Sequence, residues 1–129
     1  MSALILDTHI ALWWLADDAR LTPRLRDLVG RSTAVYLSSA STWEVAIKLA
    51  IGKLKLDLDA DTTFASVCAA QGFRLLSVDH ADAWAVLSLP ATRADPFDRL
   101  IAATARRRGW TVVTADAVFD DLGVPTLSP

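Results

Sequence analysis

Along this chain, short unbroken apolar runs take turns with longer stretches whose apolar residues recur three and four positions apart. Residues 3–6 (Ala-Leu-Ile-Leu) form an apolar run that stops at Asp7-Thr8, the pattern of a buried parallel strand. Ile10, Trp13 and Trp14 then recur at helical spacing. A second helix is expected from Thr22-Pro23, a cap followed by proline at the first helical position, to about Val29, with Gly30 ending it. Residues 34–37 read as a second strand, and the serine-rich cluster 38–42 offers several N-caps for a helix whose apolar face is Trp43, Ala46, Ile47, Ala50 and Ile51. Residues 54–58 alternate leucine with Lys55 and Asp57, which fits an edge strand or an ordered loop equally. A helix over about 61–71, a strand over 73–76 and a helix over 81–87 follow, before Pro90 interrupts the pattern. Asp95-Pro96 opens a strong helix with Phe97, Leu100, Ile101, Thr104 and Ala105 on its apolar face and Gly109 as terminator. Residues 110–113 are a fourth strand, 117–120 a helical turn and 125–127 a final strand.

Strands that alternate with helical segments imply a parallel sheet covered on both faces, so the fold class is α/β, a three-layer α/β/α sandwich with a central, mostly parallel sheet. The pattern holds over residues 1–129 with no internal repeat, low-complexity stretch or linker, which makes the chain one domain. Ligands of open α/β sheets bind outside the carboxyl ends of the strands, and the acids fall there. Asp7 closes the first strand, Glu44 lies in the first turns of the helix after the second, and Asp116 follows the fourth. Asp98 begins a helix that runs antiparallel to the fourth strand, which brings it to the same edge.

Each of these acids also has a local explanation as a helix cap. Asp95 with Pro96 makes Asp98 the third helical residue of a capping box, Ser41-x-x-Glu44 has the same form, Glu44 can pair with Lys48 one turn on, and Asp7 and Asp116 each precede a helix. Capping does not explain why all four share one edge. Two carboxylates about 4 Å apart repel by about 4 kcal/mol at an effective dielectric near 20, so a cluster of this kind protonates, splays or takes up a cation.

Composition narrows the cation. Cys68 is the only cysteine, which excludes an internal disulfide and a cysteine-based metal cage and reads as a small core residue. His9 and His80 are not at ligand spacing, and neither is assigned to catalysis. Oxygen-only donors select a hard ion, Mg²⁺ or Mn²⁺, over zinc. Such an ion polarises a phosphoryl oxygen and lowers the pKa of bound water, which is phosphodiester hydrolysis chemistry. The formal net charge of −2 gives no global pull toward nucleic acid, so phosphate contacts rest on local cations: Lys48, Lys53, Arg93 and Arg99. Arg106, Arg107 and Arg108 lie at the far end of their helix, where they offset its dipole. The chain is 53% hydrophobic with five Trp, more than a core of this size needs, so part of that surplus is expected on a partner surface. No run of about 18 uncharged apolar residues occurs and the start lacks the features of a signal peptide, which leaves a soluble cytoplasmic protein with no membrane contact as the expectation.

Four segments resemble, in order and spacing, a PIN-domain ribonuclease of the VapC toxin type. They are Leu-Asp-Thr-His-Ile (6–10), Ser-Thr-Trp-Glu-Val-Ala-Ile-Lys (41–48), Asp-Pro-Phe-Asp-Arg-Leu-Ile-Ala-Ala (95–103) and Val-Thr-Ala-Asp (113–116). The resemblance covers almost the whole chain and implies a Mg²⁺- or Mn²⁺-dependent endoribonuclease toxin, neutralised by a cognate VapB-type antitoxin and forming a homodimer. Its expected targets are structured RNAs with exposed loops, such as tRNA. The family acids carry over as Asp7, Glu44, Asp98 and Asp116, both as catalytic residues and as metal ligands. Asp95 is an auxiliary acid, and Thr114 orients a carboxylate or a water. Relatives often carry His-Arg before the Asp-Pro-Phe-Asp-Arg segment, where this chain has Arg93-Ala94.

For the antitoxin, a groove lined by Leu12, Trp13, Leu15 and the Trp43 helix would seat an amphipathic segment, the equal alternative being that these residues form one wide buried face. Two other classes compete. A Mg²⁺-binding phospho-receiver domain needs paired acids after its first strand and a late Lys, but Asp7 is followed by Thr8 and no Lys follows Lys55. A non-catalytic binding module would use all four acids only as helix caps.

Overall fold

A computed structural model of the chain describes residues 3–129. Its centre is β1 (Leu4–Leu6), flanked by β2 (Val35–Ser38) and β4 (Thr111–Val113), with β3 (Arg74–Leu76) and β5 (Thr126–Leu127) outside them. Every neighbouring pair is parallel, so the sheet expected to be mostly parallel is wholly so, in the order β3-β2-β1-β4-β5. The chain winds outward from β1 in one direction and then returns past it to β4. The order therefore reverses between β1 and β4, the place where open α/β sheets form a crevice at their carboxyl edge.

Successive strand residues point to opposite faces, and the short apolar runs feed two cores. Leu4, Leu6, Val35, Leu37 and Val113 face one core, filled by α1 (Thr8–Leu15), α2 (Pro23–Arg31) and α4 (Phe64–Ala70). Ile5 and Val112 face the other, filled mainly by α6 (Pro96–Arg108) and α7 (Val118–Asp121). Between β2 and α4, α3 (Ser39–Ala50) serves both, with Ala40 in the second core and Val45 in the first. Each fully buried Leu, Ile or Phe contributes about 1.5–3 kcal/mol, so three-residue strands suffice when both faces are covered. A short helix α5 (His80–Ala85) and a 3-10 turn (Val86–Ser88) complete the return to α6.

Local signals set most boundaries. Asp95 accepts from Asp98 N at 2.8 Å with Pro96 at the first helical position, and α6 ends at Gly109, whose φ of 73° is the left-handed conformation that favours glycine. Three expectations change, the first being that α2 runs through Gly30, its expected terminator, to Arg31. Residues 54–58 form a loop and no strand, with Leu54 and Leu56 packed against the first core. The N-cap of α3 is Ser38, whose Oγ accepts from Ala40 N at 3.0 Å, so Ser41 lies inside the helix and the Ser41-x-x-Glu44 capping box does not exist. The earliest serine wins because β2 runs straight into the helix with no connecting residue.

Candidate active site

Asp7 leaves β1 with its amide still in the sheet, donating to Val113 O at 2.9 Å. It occupies the N-cap position of α1, yet its carboxylate caps nothing there. Instead Oδ2 accepts from Thr114 Oγ1 at 2.8 Å, and the same hydroxyl accepts from Asp116 N at 3.0 Å, so one threonine ties the ends of β1 and β4 together. Asp7 is 2% exposed. Glu44, 3% exposed, reaches in from α3, and its Oε2 accepts from Lys48 Nζ at 2.7 Å, the one-turn pair expected from the sequence. A buried Thr8 Oγ1 to Ser41 Oγ hydrogen bond of 2.8 Å holds α1 and α3 side by side. Asp7 Oδ1 and Glu44 Oε1 are buried and, among the described residues, meet no hydrogen-bond donor. An unsatisfied buried carboxylate oxygen is costly.

Asp98 stands in the first turn of α6, beside the Trp43–Phe97 edge contact (ring centroids 5.1 Å) that packs α6 on α3. Burial first, and then the charges of Asp95, Asp7, Glu44 and Asp116, push its carboxyl up to about 7. Burial likewise raises Asp7, with Glu44 adding to the effect and Thr114 and His9 opposing it. The Glu44 hydrogen bond raises Lys48, with smaller help from Asp95 and Asp98. Asp98 thus lies within reach of the charges of Asp7, Glu44 and Asp116, with Lys48 as a partial counter-charge on Glu44. Asp116 is exposed and its Oδ1 accepts from Val118 N at 3.0 Å.

Proximity is not a coordination sphere: among the described residues no three Asp, Glu, His or Cys side chains are gathered closely enough to hold one ion. The hydrogen bonds show why, since Glu44 leans to Lys48, Asp7 to Thr114 and Asp116 to the start of α7. The donor set itself suits a hard cation, with only oxygens present and two of them buried and unpaired. Capping accounts for Asp95 and Asp116 but not for Asp7, Glu44 or Asp98, whose carboxylates cap no helix among the described residues.

Three cavities meet at Asp116. One of about 350 Å³ is lined by Arg93, Ala94, Asp95 and Asp98; one of about 430 Å³ by Thr92, Arg93 and Asp121; one of about 420 Å³ by Asp7, His9, Trp13 and Arg20. Of the expected phosphate-binding cations, exposed Arg93 is at the mouth, Lys48 is held by Glu44, Arg99 donates to Pro90 O, and Lys53 is exposed beyond α3. Sequence reasoning found no sign of Arg20, which belongs to the loop after α1. It also gave no partner for the arginine run: Arg107 and Arg108 bind Asp82 and Asp79 of α5, while Arg106 donates to Ser88 O.

The expected apolar groove is redistributed. Leu12, Trp13, Trp14 and Leu15 are half-buried against the first core, and Trp14 is pinned by Gln71 and Phe73. Of the expected lining, the Trp43 helix is the part that stays open, with Trp43 (59%), Ile47 and Ile51 (60%) one turn apart, while Trp84 and Leu87 are exposed elsewhere, around α5 and the 3-10 turn. The Trp43 helix adjoins a groove of about 360 Å³ that also carries Leu75 of the edge strand β3. No helix among the described residues is long and apolar enough to cross a membrane.

The PIN domain model matches residues 4–125, and the chain belongs to the PIN-domain family. Ribonuclease VapC22 of Mycobacterium tuberculosis (strain ATCC 25618 / H37Rv) is 28% identical over 117 residues, 90% of this chain and 88% of that protein. Among solved structures, VapBC2 from Rickettsia felis bound to a promoter DNA fragment is similar over 98% of both chains, with TM-score 0.67 and 13% identity. DNA-bound VapBC from Salmonella typhimurium is similar over 99% of this chain and 98% of that one, with TM-score 0.68 and 21% identity.

Proposed function

We propose that this protein is a divalent-metal-dependent endoribonuclease and the toxin of a VapBC-type pair, neutralised by a VapB-type antitoxin. The observation that carries the reading is the pair of buried, unpaired oxygens on Asp7 and Glu44, two acids whose charges help push the nearby Asp98 carboxyl up to about 7. A fold does not by itself define a function. Here, however, the family match and the similarity to a protein named a ribonuclease agree with the chemistry of the cleft.

Asp7, Glu44 and Asp98 would hold one Mg²⁺ or Mn²⁺ directly or through water, with Asp116 completing the set or holding a second ion. What such an ion supplies is polarisation of a phosphoryl oxygen and a water that ionises near neutral pH. Thr114 fixes the Asp7 carboxylate, Lys48 steadies Glu44, and Arg93 at the mouth meets a flanking phosphate. A strand in this open cleft is single-stranded or looped, because the deep, narrow major groove of an A-form duplex keeps side chains out; structured RNAs with exposed loops, such as tRNA, meet that requirement. The antitoxin's apolar segment, or a second copy of the chain in a homodimer, covers the α3 face carrying Trp43, Ile47 and Ile51. The site of action is the cytoplasm, where such RNAs are.

Purified protein incubated with total RNA in Mg²⁺ and in EDTA tests the reading in one gel. Discrete fragments are expected in Mg²⁺ only. Intact RNA in both lanes, or equal cleavage in both, overturns it.

A further inference from the structure

The cavity on the α1 side of the cleft has a wall that the hydrolytic chemistry does not use. Asp7 and Asp116 line this space of about 420 Å³ together with His9, Trp13 and Arg20. The Arg20 guanidinium lies 4.6 Å from the centre of the Trp13 ring, and the His9 ring is 6.5 Å from the same indole. We infer that Arg20, stacked on Trp13, is a base-stacking platform for the nucleotide next to the scissile phosphate, and so a specificity-determining residue of the RNA strand; this rests on the ribonuclease reading.

Orientation is the first argument. Arg20 Nε and Nη2 donate to the two oxygens of Asp18 at 3.1 and 2.7 Å, and Arg20 N donates to Asp18 Oδ1 at 2.9 Å. That fork fixes the plane of the guanidinium while its side chain stays 67% exposed, so a flat face is presented to solvent already oriented. The loop is shaped for it: Asp17 holds a φ of 51°, uncommon for a residue other than glycine, in the turn that places Asp18 under Arg20.

Charge is the second argument. Asp18 neutralises Arg20 at contact distance, so what this group offers a ligand is its planar face more than its charge. Single-stranded RNA is read largely by bases stacked on aromatic rings and guanidinium planes. A phosphate would prefer the exposed Arg93 across the cleft. Position is the third. A base on this platform has its own backbone beside Asp7 and Asp116, which line the same cavity.

The test compares wild type with Arg20→Ala, Arg20→Lys and Asp18→Asn. One readout is anisotropy of labelled single-stranded oligoribonucleotides in EDTA; the other is cleavage in Mg²⁺ with the cut sites sequenced. Arg20→Ala is expected to weaken binding about tenfold in EDTA. It should raise KM while leaving kcat nearly unchanged, and flatten the base preference beside the cut. Arg20→Lys, which keeps the charge and loses the plane, should behave like Arg20→Ala, and Asp18→Asn should show a smaller loss. Should Arg20→Lys restore wild-type binding and cut sites, or Arg20→Ala match wild type in both readouts, the platform is wrong. Wild-type protein that cleaves no RNA in Mg²⁺ overturns the ribonuclease reading itself, an outcome distinct from a cleaving enzyme indifferent to position 20.

Discussion

Two groups of buried acids sit in this molecule, and the fold treats them in opposite ways. At the seam of α5 and α6, Asp82 is fully buried, yet Arg107 lies 2.8 Å from its Oδ1 and Arg108 3.0 Å from its Oδ2, while Asp79 and Asp82 close a capping box on α5. Burial pushes the Asp82 carboxyl up, but the Arg108 bond, the Asp79 amide and the Arg107 bond together hold it below the usual range. In the cleft, Asp7 and Glu44 are almost as buried, yet only Glu44 has a cation, Lys48, and Asp7 and Asp98 are pushed up. An acid the fold needs is given cations from its own chain. Acids gathered without enough of them strain the fold locally, as sites that bind an external cation do.

The comparison breaks most visibly at Asp7. Asp7→Asn should lower RNA cleavage by at least about a hundredfold, the scale of losing a group that acts on the reacting atoms, and should abolish Mg²⁺ binding in isothermal titration. The melting temperature of the metal-free protein should hold or rise, since one uncompensated buried charge is gone. Wild-type cleavage by this variant would remove Asp7 from the site.

Asp82→Asn should do the reverse. Removing one partner of a buried pair costs about 3–5 kcal/mol, and because Arg107 and Arg108 are 35% and 25% exposed the expected loss is nearer about 2 kcal/mol. Urea unfolding should show that drop while Mg²⁺ affinity stays at the wild-type value. A change in metal affinity as large as the change in stability would mean that the two acid groups are one coupled system.

Thr114→Val sharpens the contrast on the cleft side. Its hydroxyl serves both Asp7 Oδ2 and Asp116 N, so the variant leaves a buried carboxylate oxygen and a β4-end amide without their partner. Groups that orient a ligand typically contribute about 10–100-fold in metal affinity, and the lower end is expected here. Thr114→Ser, which keeps the hydroxyl, should recover most of the loss in the same titration.

The order of elements and the edge on which the acids lie were legible because both depend on short-range signals. Those signals are apolar runs of strand length, helical spacing, Asp95-Pro96 at one end of α6 and Gly109 at the other. What stayed hidden was pairing at a distance. Asp82 and Arg107 are 25 residues apart, Thr8 and Ser41 33, and Thr114 and Asp7 107, and a lone polar residue carries no mark of which distant partner satisfies it. The α3 start was missed because three serines compete within four residues and only the end of β2 decides among them. The apolar surplus was expected on α1 and the Trp43 helix together, and only the Trp43 helix leaves its share exposed. The helical face of Trp43, Ile47 and Ile51 remains open because α6 covers only one side of Trp43.

The smallest effect separates the two groups by pH. Asp98 has its folded pKa raised from 3.8 to about 7, so its native form holds a proton more tightly than the unfolded chain. The stability this provides is complete below pH 3.8 and is lost as pH rises through about 7. Each unit of that window is worth about 1.4 kcal/mol before solvent screening, and partial exposure of Asp98 reduces the total to about 1–2 kcal/mol. Asp82, with its pKa lowered, contributes in the opposite window: its stabilisation is present above 3.8 and fades as pH falls below that value. Metal-free protein should therefore lose urea resistance from pH 5 to pH 8, saturating Mg²⁺ should flatten that slope by favouring the ionised cleft, and Asp98→Asn should flatten it without metal. Asp82→Asn should leave the slope between pH 5 and 8 intact while lowering every midpoint. A metal-free midpoint that stays level from pH 5 to 8 would mean that the cleft acids are already satisfied by the protein itself.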